Sequence, residues 1–125
     1  MINVVAENIN IMSKYTGTAM REQNPAPIQE WAEKLTERGV DLLDLNLGPA
    51  RKGGPEMMQW LVKTVQEVTD LPVFLDTTNS DAIEAGLQVY QPKKAPAVIN
   101  SIMARQDRMD LQMPLVSTYG CHMVG

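Results

Sequence analysis

Hydrophobic and polar positions alternate along this chain in two periods. Short runs rich in Val, Ile and Leu, with a period near two, are separated by stretches whose apolar residues recur every three or four. Residues 2–7 read as a first strand, with Val4 on one face and Asn3, Val5 and Glu7 on the other. Residues 8–23 read as a long polar connection containing Gly17, longer than the usual loop after a strand and therefore a functional edge. Asn24 before Pro25 has the form of a helix N-cap followed by a first-turn proline. Ile28, Trp31, Ala32 and Leu35 then share one helical face, and Gly39 closes the helix.

Residues 40–46 form the second expected strand, with Leu43, Leu45 and Leu47 on one face and Leu42, Asp44 and Asn46 on the other. Pro55 opens a second helix with Met58, Leu61, Val62 and Val65 as its buried stripe. Residues 71–76 make a third strand with Phe74 and Asp76 on one face, and residues 77–80 are suited to cap the helix expected over 81–89. Residues 97–100 make a fourth strand, with Val98 and Asn100 sharing a face. A weaker helix is expected over 109–119, interrupted by Pro114, and residues 121–125 begin a fifth strand. Strand and helix in this alternation predict an α/β fold with a parallel sheet and right-handed crossovers, one domain over residues 1–125.

Composition narrows the function classes. A hydrophobic content of 44% supports a folded core, and a formal charge of −4 gives no basic footprint for nucleic acid. No apolar run reaches the roughly 18–20 residues of a membrane span, and no signal-peptide pattern opens the chain, so a cytoplasmic protein is expected. The single cysteine, Cys121, allows no internal disulfide and no zinc spacing, and no metal site is expected. The nine methionines read as core filler.

The candidate chemistry lies at the strand ends. Glu7, Asn46 with Asp44, Asp76 and Asn100 would each stand near the carboxyl end of an inward strand face. In a (β/α)8 barrel those ends surround the active site; in a doubly wound open sheet, the alternative, ligands also sit beyond them. Carboxylates and amides converging there suit a flat heterocycle with amide-like edges, such as a pterin, because one carboxylate can accept from an N–H and an NH2 together. The glycine-rich stretch 48–54 matches neither a Walker loop nor a dinucleotide fingerprint. Arg51 and Lys52 read as solvated loop charges able to touch an anionic substrate tail, and His122 as a strand-end or surface residue.

Ala6-Glu7-Asn8-Ile9-Asn10, Asp44-Leu45-Asn46-Leu47-Gly48-Pro49, Leu75-Asp76-Thr77-Thr78-Asn79 and Val98-Ile99-Asn100-Ser101 resemble segments of the methyltetrahydrofolate:corrinoid methyltransferases. That family includes the methyltransferase acting on the corrinoid/iron–sulfur protein of acetogens and the folate domain of cobalamin-dependent methionine synthase. The resemblance implies a TIM barrel of the dihydropteroate-synthase type. It implies methyl transfer from N5 of methyltetrahydrofolate to Co(I) of a cobalamin or other corrinoid held by a partner protein, or the reverse. It implies that Asp76 and Asn100 hydrogen-bond the pterin, that Asn46 lines the pocket, and that Glu7 and Asn10 support it, with Asp44 beside them. Dihydropteroate synthase itself ranks lower, since residues 7–12 lack its first-strand signature. A (β/α)8 barrel takes about 250 residues, so this chain corresponds to the N-terminal half: about four β/α units and the start of a fifth strand. The residue acting on N5 is expected in the remaining half. A half-barrel is expected to pair with itself as a homodimer or with a second half-barrel, and a non-catalytic pterin-binding or assembly role is the alternative.

Overall fold

The computed structural model describes residues 5–11, 13–48, 52–93, 95–100 and 122–124. Five parallel strands form one sheet in sequential order: β1 (Val5–Asn10), β2 (Leu42–Gly48), β3 (Val73–Thr77), β4 (Val98–Asn100) and β5 (His122–Val124). The helices described between them are α1 (Lys14–Glu22), α2 (Pro25–Glu37), α3 (Gly54–Gln66) and α4 (Ser80–Val89). A doubly wound sheet reverses its strand order at a switch point. Here each new strand adds to the same side of the last, which is the winding of a (β/α)8 barrel. The helix expected over 109–119 lies outside the described residues.

The two faces of the sheet differ sharply. Leu43, Leu45, Val73, Leu75 and Ile99 are fully buried in one cluster with Ile28 and Ala32 of α2, Met58 and Leu61 of α3, and Ile83 of α4. The opposite face carries Leu42, Asp44, Asn46, Phe74, Asp76 and Val98; of these Asn46, Phe74, Asp76 and Val98 are only half-buried. One face is therefore the core, and the other is the less covered face that in a barrel turns inward.

The helices begin as their sequences direct. The Asn24 side chain accepts from the Ala26 N–H at the start of α2, and the Asn79 side chain accepts from the N–H groups of Asp81 and Ala82 at the start of α4.

Two sequence expectations are corrected in the first β/α unit. Residues 8–23 are not an unstructured connection, since α1 occupies much of that stretch with Thr16, Gly17, Ala19 and Met20 buried. Ser13 caps it by accepting from the Thr16 N–H at 3.4 Å. Gly17 permits its close seating, because a Cβ there would stand 2.1 Å from the Ile11 carbonyl oxygen. Nor does β1 end at Glu7; it runs on to Asn10. Ala6 pairs with Leu43 and Ile9 with Leu45, so two residues of β1 face one of β2. This bulge reverses the alternation beyond it. Ile9 turns into the core, fully buried, and Asn10 comes level with Asn46.

Candidate functional site

Register places four polar residues in one row at the carboxyl ends of adjacent strands. Asn10 pairs with Asn46, and Asn46 pairs with Asp76. Asn100 follows Ile99, the partner of Leu75, and so stands level with Asp76 on the backbone of β4. One turn of the pleat below, Asp44 pairs with Phe74 and is 4% exposed. Glu7 lies lower, at the bulge, three residues before the end of β1. The side chains of Glu7 and Asn100 lie outside the described residues.

Asn46 is held by its own loop. Its Oδ1 accepts from the Gly48 N–H at 2.8 Å, which fixes the amide with its Nδ2 toward β3. That Nδ2 donates to Asp76 Oδ2 at 3.2 Å. Gly48 has φ +60, a left-handed conformation that a side chain would strain. Its carbonyl accepts from Thr77 Oγ1 at 2.7 Å, and the same Thr77 oxygen accepts from the Asn79 N–H at 3.1 Å. The amide of Asn46, the turn at Gly48 and the start of α4 are thus linked through one buried threonine.

Asn10 is fixed through its backbone. Thr16 Oγ1 accepts from the Asn10 N–H at 3.1 Å and donates to the Asn10 carbonyl at 2.9 Å. The next peptide ties β1 to β2, since the Ile11 N–H donates to the Asn46 carbonyl at 2.9 Å. Thr16 and Thr77 are supports that the strand pattern did not single out. The signal for Thr16 was Ser13 three residues earlier, the spacing of a capped first turn. Thr77 lies in the polar stretch 77–80 expected to cap the next helix, and that signal did not reveal its bond to the Gly48 carbonyl.

The row presents amide donors and acceptors beside a carboxylate, in a half-buried setting with rigid support. It contains no nucleophilic side chain, and among the described residues no group of three or more His, Cys, Asp or Glu stands together as a metal cage. Such a surface can bind and orient a planar, hydrogen-bonding ring.

Residues 7–124 match the family described as pterin binding enzyme. The chain belongs to that family. Within it, the chain is similar to the methylcorrinoid:tetrahydrofolate methyltransferase of Eubacterium limosum, with 26% identity over 112 residues, which cover 90% of this chain and 40% of that protein. The match begins within β1 and runs through β2 to β5. The expected family, and with it a barrel with pterin-binding character, therefore stands. Among the described residues no helix is long and apolar enough to cross a membrane.

Proposed function

We propose that this protein transfers a methyl group between N5 of tetrahydrofolate and the cobalt of a corrinoid carried by a partner protein. The observation that carries the reading is the row Asn10–Asn46–Asp76, with Asn46 locked by Gly48 and bonded to Asp76. The similarity to a methylcorrinoid:tetrahydrofolate methyltransferase supports the choice of reaction within the pterin-binding family.

In this reading Asp76 accepts from the N–H and NH2 edge of the pterin, while Asn46 holds the carboxylate in place and lines the pocket. Asn100 adds an amide to the same ring, Asn10 forms the rim toward β1, and Glu7 and Asp44 support the floor. In the direction toward folate, the N5 lone pair forms the new N–C bond. The cobalt–carbon bond breaks with its electron pair left on cobalt, giving Co(I), and N5 releases its proton. In the other direction Co(I) attacks the methyl carbon, and the N5–C electron pair returns to a protonated N5. One reactant is nucleophile and the other carries the leaving group, so the protein contributes position and proton control. No residue of this chain is assigned to N5.

The test is calorimetric titration of the intact protein with tetrahydrofolate and its 5-methyl form. Asp76→Ala is expected to lose a charge-assisted pair worth about 1.5–3 kcal/mol, which is roughly a ten- to hundredfold weaker Kd. Asn46→Ala is expected to weaken binding less, through loss of the orientation of Asp76. Unchanged affinity in Asp76→Ala would remove the pterin from this row.

A further inference from the structure

The β1 member of the polar row is gripped from outside the sheet. β1 is the end strand of the described sheet, and the outer edge of such a strand presents peptide groups that no ladder takes up. Successive residues of a strand turn their peptide groups to opposite edges. The Ile11 N–H goes to β2, 2.9 Å from the Asn46 carbonyl, so the N–H and C=O of Asn10 face the outer edge. One hydroxyl engages both. Thr16 Oγ1 accepts from that N–H at 3.1 Å and donates to that carbonyl at 2.9 Å. The Ser13 N–H adds a second bond to the same carbonyl at 3.0 Å.

The hydroxyl is itself fixed. Thr16 is buried, and a β-branched side chain in a helix has few rotamers. Its N–H is capped by Ser13 Oγ, and the Gly17 N–H donates to the Ser13 carbonyl at 2.8 Å. The helix behind it is seated against the same strand end. Gly17 lies too close to the Ile11 carbonyl for any Cβ to fit, and Arg21 Nη1 donates to that carbonyl at 3.1 Å. A helical threonine that serves only its own helix returns its hydroxyl to a carbonyl three or four residues back. This one reaches six residues back, to the strand. The grip falls at the height of the row, since Asn10 is level with Asn46, which bonds Asp76. Asn46 takes its place from its own loop, through the Gly48 N–H; Asn10 takes its place from α1. A binding group has to stand within about 0.5 Å of its productive position, and the Asn10 peptide is clamped on both edges of the strand to that end.

We propose that Thr16 is a positioning residue for pterin binding. It touches no ligand and acts through the Asn10 peptide, setting where the Asn10 amide stands in the row. The inference rests on the folate reading above and gives α1, which lies outside the sheet, a part in it.

The experiment is a double-mutant cycle, read by calorimetric titration of the intact protein with tetrahydrofolate. It compares wild type, Thr16→Val, Asn10→Ala and the two combined. Thr16→Val keeps the shape and removes the hydroxyl. It is expected to weaken tetrahydrofolate about fivefold, the order of one neutral hydrogen bond, and Asn10→Ala by a similar factor. The combined variant is expected to bind no more weakly than Asn10→Ala alone, because the hydroxyl acts through the amide. Thr16→Ser, which keeps the hydroxyl, is expected to restore affinity to within about twofold of wild type. Thr16→Ala leaves room for a water at the Asn10 peptide and takes the place of Thr16→Val in the same cycle should that variant not fold. An equal loss on removing the hydroxyl with and without the Asn10 amide would overturn the proposal and leave Thr16 a support of the fold alone. Wild-type affinity in the hydroxyl-free variant would overturn it too, and binding lost in Asp76→Ala would then keep the pterin reading standing. Failure of wild type to bind tetrahydrofolate would overturn the folate reading itself.

Discussion

Asn46 shows how much one side chain can settle. An amide can point either way, and only the network around it decides. Here the Gly48 N–H takes its oxygen, so its NH2 faces Asp76. The fixed orientation keeps one oxygen of the Asp76 carboxylate engaged from the β2 side. Thr77 secures that arrangement from β3 with one donated and one accepted bond. Thr77→Val keeps the shape and removes both, and at about 0.5–1.5 kcal/mol each it is expected to lower unfolding stability by roughly 1–3 kcal/mol in denaturant titration. Pterin affinity should fall with it, since the Gly48 turn is then held from one side only. The polar residues Asn46, Asp76 and Asn100 were legible in the sequence because period two places them on known strand faces. Thr77 was not, since a threonine after a strand looks the same whether it anchors a turn or faces water.

At the scale of elements, caps and apolar stripes announced α2, α3 and α4 well. Asn24, Asn79, Pro25 and Pro55 each stand within a residue or two of the helix start they signal. α1 was illegible for a physical reason. Its buried face is made of Thr16, Gly17, Ala19 and Met20, so close backbone approach replaces the large apolar side chains that mark a helix stripe. The segment after α4 carries a different dependence. Tyr90 donates its hydroxyl to the Ala95 carbonyl at 2.7 Å, and burial raises its pKa above the ordinary value. A raised acid means that the unfolded chain ionises first, at about pH 10, while the folded chain keeps its proton. Stability from this group is therefore full below about pH 10 and is lost as pH rises through the folded pKa. Tyr90→Phe is expected to show a shallower loss of stability than wild type between pH 9 and 11, in urea titrations at matched ionic strength. At neutral pH the variant should be less stable by about 1 kcal/mol, for the missing hydrogen bond.

For the whole molecule, what the sequence conveyed was the alternation of strand and helix and the polar strand ends. The winding came from pairing. Strand order is a long-range property, and a barrel and a doubly wound sheet share the same local pattern. The sequential order β1 to β5 decides it, and it leaves one sheet face covered by helices and the other carrying the polar strand-end row. The chain spans 40% of the length of the relative it matches.

The bulge between Ala6 and Ile9 gives the first strand one spare residue. Glu7 and Asn8 together span what Asp44 spans alone, while Ala6 and Ile9 keep Leu43 and Leu45 as partners. Removing either Glu7 or Asn8 would leave one residue between Ala6 and Ile9, as there is one between Leu43 and Leu45. Regular pairing would then join the same partners, with Ile9 still on the core face and Asn10 still level with Asn46. Either single deletion is therefore expected to leave a folded protein with the polar row intact, checked by denaturant titration. Removing both residues would leave nothing to span Asp44 and is expected to unfold the first β/α unit. The slack in this strand is one residue, and it can be used once.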